Sequence, residues 1–371
     1  MRRGRASGTA ATRGRGVVRL LVAIAPAVVL AGIAVVTPRP AAAEWSDDVV
    51  AGIDVEAASL HGAWTSSVLA AGLSRPYWLA LAPDDSYLLV TTLGAGANRV
   101  YRVTAAGAVS VLAGSGAQTH ADGVGTAASL AYPAWLGWGR NGVACVVEDD
   151  GGRVSEVTTA GAVTAVTGTS MATTNCPVGQ SALGGMPHAF VIAPDGRFAV
   201  VIGETAATRN GVVYDGHWVA GDGRGFADGA AAVARFNNPE GIALDPAGDG
   251  FWVADTGNRV IRRVGADGTV MTIAGAPAVI GCTDGIAAAA RFSIPEGLEF
   301  GPDGALYIAD ELCGVRRLDP ATLEVTTPLP SEDGLSSIGI SAAAADGSFA
   351  LYATAYSRDR IDRFLWTAPH W

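Results

Sequence analysis

One block of sequence returns several times along this chain, and that recurrence constrains the fold more than any other feature. Its clearest copy runs from Phe236 through Pro239-Glu240-Gly241-Ile242-Ala243-Leu244 to Phe251-Trp252-Val253-Ala254-Asp255. It continues through Asn258-Arg259-Val260-Ile261-Arg262-Arg263-Val264 and closes on Val270 to Gly275. The next copy follows the same order, with Pro295-Glu296-Gly297-Leu298, Leu306-Tyr307-Ile308-Ala309-Asp310 and Val315-Arg316-Arg317-Leu318. Weaker copies start at Pro76, Pro133 and Pro187, so successive anchor prolines lie 57, 54, 52 and 56 residues apart. A sixth copy lacks the proline and runs through Ser337 to Ile340, Leu351 to Thr354 and Arg360 to Phe364.

Each copy holds four short runs of alternating apolar residues separated by Gly, Pro, Asp and Asn, the pattern of half-buried strands joined by tight turns. Sustained helical periodicity is missing, which argues against a helical solenoid. Four strands in each of six units predict an all-β, six-bladed β-propeller. The sixth copy ends soon after its third strand, at Phe364-Leu365-Trp366. A fourth-strand pattern, Trp64 to Gly72, instead precedes the first complete copy. The expectation is that this N-terminal strand completes the last blade and leaves no open edge there.

The run Pro-x-Gly-Ile-Ala, then Trp-Val-Ala-Asp, then Asn-Arg-Val-Ile-Arg resembles the NHL repeat. The stretches between blades sharpen the likeness: Ala220 to Gly223, Ala227-Asp228-Gly229, Ala234-Arg235-Phe236, and similarly Ala113 to Gly116 with Ala121-Asp122-Gly123. The resemblance spans about residues 64–366. It implies a fold more than a function, because NHL propellers include binding scaffolds, sensor domains and some enzymes.

Residues 1–43 read as a targeting segment, with an Arg-rich start, an apolar run from Leu20 to Val36 and small residues at Ala41 and Ala43. The expected domains are therefore a signal peptide at 1–43, an N-terminal extension at 44–63, the propeller at 64–366 and a tail at 367–371. An uncleaved membrane anchor and a mitochondrial transit peptide are the other readings of the leader. The first two put the rest of the chain outside the cytosol: secreted, or anchored with the propeller outside. The whole chain carries −10; without the leader's seven arginines, 18 basic residues face 35 acids, a net −17. Such a surface repels phosphate backbones, so nucleic acid is not an expected partner, and a membrane is met only through the N-terminal segment.

Asp255 and Asp310 end the second strand of their blades, Glu148 holds the equivalent place in blade 2, and Glu204 lies two residues past it in blade 3. With Asp149 they form a candidate acidic rim for a cation or an amine-bearing ligand. The alternative is that each acid accepts backbone hydrogen bonds in the following turn. Calcium or zinc is a candidate cofactor, with Glu148, Glu204 and His188 as candidate ligands. The resemblance adds that one related lyase holds zinc through histidines of several blades. Here His120, His188 and His217 match no compact zinc motif. A Gly-x-Ser-x-Gly nucleophile elbow is missing too, and so is any Asn-x-Ser/Thr acceptor. Trp135 and Trp138 follow the anchor position of blade 2, where aromatic rings either line the channel mouth or pack between blades. Four cysteines in an exported chain read as disulfides: Cys282 with Cys313, and Cys145 with Cys176 unless Cys145 stays a buried thiol. The leading expectation is a binding scaffold for a protein, peptide or carbohydrate. The alternatives are a hydrolase or lyase with a divalent cation at the central channel, and a sensor held by an uncleaved anchor.

Overall fold

The computed structural model describes residues 62–203, 209–221, 223–331 and 333–368. The leader, nearly all of the extension, Glu204 and the last three residues lie outside that set. The described chain forms six antiparallel sheets, each with four main strands. Blade 1 holds Pro76–Leu81, Tyr87–Thr92, Arg99–Thr104 and Val109–Ala113. Blade 2 holds Pro133–Trp138, Ala144–Glu148, Arg153–Val157 and Ala162–Ala165, and blade 3 holds Pro187–Ile192, Phe198–Ile202, Gly211–Tyr214 and His217–Ala220. Blade 4 is Gly241–Leu244, Gly250–Asp255, Val260–Gly265 and Val270–Gly275; blade 5 is Pro295–Phe300, Leu306–Asp310, Gly314–Leu318 and Glu324–Leu329. Blade 6 takes Leu335–Ile340, Phe349–Ala355 and Arg360–Thr367, and its outer strand is Ala63–Ala71. That last pairing runs antiparallel from Ala63 opposite Thr367 to Ala71 opposite Arg360. Among the described residues the α-helix is confined to one turn, Gln180–Leu183.

The first strands of all six blades touch in a closed ring around a central channel. Neighbours in that ring run the same way, because residues at matching levels meet: Ala189 N donates to Glu240 O at 3.3 Å, and Leu79 N donates to Ser337 Oγ at 3.2 Å. All the first strands therefore begin at one mouth and end at the other. The ring is tight where it begins: a Cβ on Gly241 would stand 2.0 Å from Glu296 O, so glycine is required there.

Alternation within each strand sends apolar side chains to both faces of the blade, and the core lies in the layers between blades. Ala70, Leu79, Val90 and Tyr352 join blade 6 to blade 1. Leu306, Ile308 and Trp252 join blade 4 to blade 5, and Tyr307, Leu351 and Phe349 join blade 5 to blade 6. The repeated Ala-x-Phe stretches plug the gaps outside this ring: Phe236 and Phe292 are fully buried under the guanidinium groups of Arg262 and Arg316, each 5.0 Å from the ring centre.

Both cysteine pairs are disulfides, Cys145–Cys176 and Cys282–Cys313, so Cys145 is not a free thiol. Each ties a long connection to a blade. Residues 170–185 are held down further by Arg140, whose guanidinium donates to Met171 O and Thr174 O. Two disulfides suit an oxidising, extracytosolic compartment. Among the described residues, no helix is long and apolar enough to cross a membrane.

Candidate functional site

The acids that end the second strands do not form an open rim. Asp255 is fully buried and accepts from Asn237 N at 2.8 Å, Asn258 Nδ2 at 2.9 Å and Arg262 at 2.7 Å. Asp310 repeats this with Ser293 N, Ile294 N and Arg316. Arg262 and Arg316 then reach Asp228 and Asp284 in the inter-blade connections, which cap the outer strands through Thr272 N and Thr327 N. In blade 2, serine takes the arginine's register, so Ser155 Oγ donates to Glu148 at 2.6 Å while Arg153 arrives from two residues earlier at 3.2 Å. Ala131 N and His120 Nδ1 complete the shell of Glu148 at 2.7 and 2.8 Å. These acids, buried and surrounded by donors, are clasps between strands.

A different acidic group rings the mouth where the first strands begin. The residue after each anchor position is Tyr77, Ala134, His188, Glu240, Glu296 or Ser336, one from each blade. The register breaks there in five blades, a bulge between the anchor and the rest of the first strand. Such bulges re-aim side chains at sheet ends.

Glu240 Oε1 accepts from Asn238 Nδ2 at 2.7 Å, but its Oε2 is buried without a hydrogen-bond partner. Glu296 Oε2 is in the same state, and Glu296 is only 7% exposed. Burial pushes the Glu240 carboxyl up to about 7, reinforced by the charges of Glu311 and Asp149. Burial also drives Glu296 well above the usual carboxyl range, with Glu240 as the next cause. The Tyr77 phenol is raised well above its usual value by burial and then by the charges of Glu296, Glu240, Asp149 and Glu311. Beside it, Arg75, Tyr77, Leu93, Glu296, Glu311 and Tyr356 line a recess of about 160 Å³, and the Tyr356 hydroxyl donates to Glu311.

His188 belongs to this ring but is already engaged. Its Nδ1–H donates to Pro239 O at 2.9 Å, its ring stacks on Trp135 at 4.0 Å, and burial lowers its pKa to about 4. It stays a neutral wall element near pH 7. Glu148 lies in its blade 2 clasp, so these two candidate metal ligands do not meet at one point. The described residues contain no group of three or more His, Cys, Asp or Glu side chains suited to a metal. Glu148 and His188 each already have protein partners, and Glu204, the third candidate ligand, lies outside the described residues. Asp149 stands near the mouth, its backbone N–H donating to Tyr132 O just before the blade 2 anchor at 2.9 Å. Trp138 belongs to the opposite end of the channel, where its Nε1–H donates to Leu81 O.

In the sequence Glu240, Glu296 and Tyr77 stand out only as neighbours of the repeat's anchor proline. The available signal is the residue after the anchor position, a glutamate in the two clearest copies and Tyr, Ala, His or Ser in the others.

The NHL-repeat family model matches residues 236–259. No curated protein matches the sequence. Solved structures share the fold at low identity. A Bacteroides thetaiotaomicron protein of unknown function superposes with TM-score 0.58 at 13% identity, covering 82% of this chain and 76% of that one. An auxiliary nutrient binding protein of the same organism gives 0.56 at 12% identity, covering 82% and 77%. A gluconolactonase of Xanthomonas campestris gives 0.54 at 15% identity, covering 82% and 89%. The chain is thus a six-bladed propeller carrying an NHL repeat.

Proposed function

We propose that this protein is an exported binding propeller whose channel mouth receives the positively charged group of a peptide or small amine. The observation that carries this reading is the pair of buried carboxyl oxygens, Glu240 Oε2 and Glu296 Oε2, left without partners in one ring of first strands. A buried polar atom without a partner costs about 1–3 kcal/mol, so a fold that keeps two of them side by side is poised for a donor from outside. An ammonium or guanidinium group supplies both donors and charge, and Tyr77 and Tyr356 line the adjoining recess with aromatic rings and hydroxyls. The propeller frame suits this role, since rigid strands hold the mouth open without needing a closing lid.

Two structural neighbours carry the words nutrient binding and gluconolactonase. At 12–15% identity they support the fold alone. A second reading has one observation behind it: a carboxyl at about 7 beside a protonated one is a suitable general acid–base pair.

The test is calorimetric titration with argininamide at pH 7 in two buffers of different ionisation heat. Binding with release of a proton from the carboxyl pair is expected, lost in the Glu240→Gln, Glu296→Gln double variant. Equal affinity in wild type and double variant would sink the reading.

A further inference from the structure

The opposite end of the channel has unlike chemistry. Leu79, Trp138, Phe190, Leu244, Phe300 and Ile338 wall much of a cavity of about 510 Å³. All six blades contribute, so its shape is fixed by the first strands rather than by loops. That size and apolar lining are those of small-molecule sites, which bury most of a ligand and orient it by a few polar groups.

This wall holds one ionisable side chain, Glu299. Its Oε2 accepts from Ile340 N of the neighbouring blade at 3.0 Å, which fixes the carboxyl at the blade 5–blade 6 seam. The other oxygen has no hydrogen-bond partner among the described residues, and the residue is half-buried in the cavity wall. At the same register the other blades place Ala80, Gly137, Val191, Ala243 and Gly339. A strand that needed only to fill space here would carry a small or apolar residue, as five of six do. We infer that this funnel is a second ligand site, specific for a small apolar or aromatic molecule bearing one amine, with the amine paired to Glu299 and the apolar body between Trp138, Leu244 and Phe300.

Burial raises Glu299 to about 8, against the one backbone donor that lowers it, and Asp85 is the other acid close enough to add to the rise. Asp85 accepts from Ala342 N at 2.9 Å on the outer side of the seam. An unpaired carboxyl held above its ordinary range is returned toward it by a cationic partner. The inference does not depend on the acidic mouth, because none of the lining residues of that recess belongs to this wall.

The experiment titrates the full chain with phenethylammonium and, separately, with the neutral phenethyl alcohol, following tryptophan fluorescence and heat at pH 8.5. Saturable binding of the amine is expected, about tenfold or more tighter than the alcohol, the usual scale of one charge-assisted hydrogen bond in an apolar site. Glu299→Gln should erase that preference while leaving alcohol binding in place, and Ala80→Trp should remove both by filling the funnel. Argininamide, which lacks an apolar body, should not displace the probe. Equal affinity for amine and alcohol, an unchanged preference in Glu299→Gln, or no saturable binding would each overturn the proposal. If Ala80→Trp does not fold, the amine–alcohol ratio in wild type and Glu299→Gln decides it alone.

Discussion

Asp255 and Asp310 lie in the same two blades as Glu240 and Glu296, and all four have carboxyl oxygens shielded from solvent, yet their surroundings are opposite. Each aspartate receives backbone N–H groups and a buried arginine, and that arginine is tied onward to a second aspartate. Each glutamate keeps an oxygen with nothing to accept from. Burial alone does not mark a functional carboxyl; the count of donors around it does. The clasp acids spend their hydrogen-bonding capacity on holding strands together, while the mouth acids hold theirs open at the start of the channel.

The comparison breaks if removing a clasp acid is harmless. Asp255→Ala takes from buried Arg262 its buried carboxylate and leaves it Asp228 and the carbonyls of Ala227 and Arg235, so a loss of about 3–5 kcal/mol in urea unfolding is expected. Next in size is the Cys282→Ala, Cys313→Ala pair, which frees the turn that follows Glu311. A loss of about 3–4 kcal/mol is expected for a loop of this length, read by thermal melts of oxidised protein.

The mouth acids should behave in the opposite sense. A carboxyl whose folded pKa is raised binds its proton more tightly in the folded state. Its contribution is full below about 4.5 and is lost as pH climbs through about 7 for Glu240. Wild type should therefore lose more stability between pH 5 and pH 8 than Glu240→Gln does, and at pH 8 the variant should be as stable as wild type or more so. A steeper fall in the variant would contradict the assignment. The smallest effect belongs to Tyr356→Phe, which removes the one hydroxyl donor to Glu311 and should cost about 0.5–1.5 kcal/mol by denaturant titration.

The blades were legible because a repeat states its strands six times over, and agreement between copies outweighs the ambiguity of any one short apolar run. The disulfides were legible in part: Cys282 and Cys313 fall on connections of one blade face, whereas Cys145, inside a strand, left its own pairing open. The site was not legible for a physical reason. Asp255 reads in the sequence first as a turn acid and Glu148 as either a turn acid or a rim acid, and only the fold shows that Arg262, or Ser155 with Arg153, stands across the neighbouring strand to receive them. Glu240 and Glu296 looked like furniture of the repeat because the Pro and Gly around them are fixed by backbone needs, which drew attention away from the residue between. Glu299 was hidden in the same manner, as the second glutamate of the strand Pro295–Phe300.

Blade 6 is assembled from the two extremes of the described chain, with Ala63 set against Thr367. Every other blade is local in sequence and can form as its own stretch of about fifty residues emerges. This one carries the highest contact order in the molecule, so its completion depends on a closure over roughly three hundred residues and is expected to be the slow event in folding. Until Arg360–Thr367 is available, Ala63–Ala71 has no partner strand, and Trp64, Val68 and Leu69 travel on an open β edge. A chain interrupted late in synthesis would thus keep five blades and still expose apolar blade faces beside an incomplete sixth, which makes the last eight-residue strand a checkpoint for solubility as much as a piece of architecture.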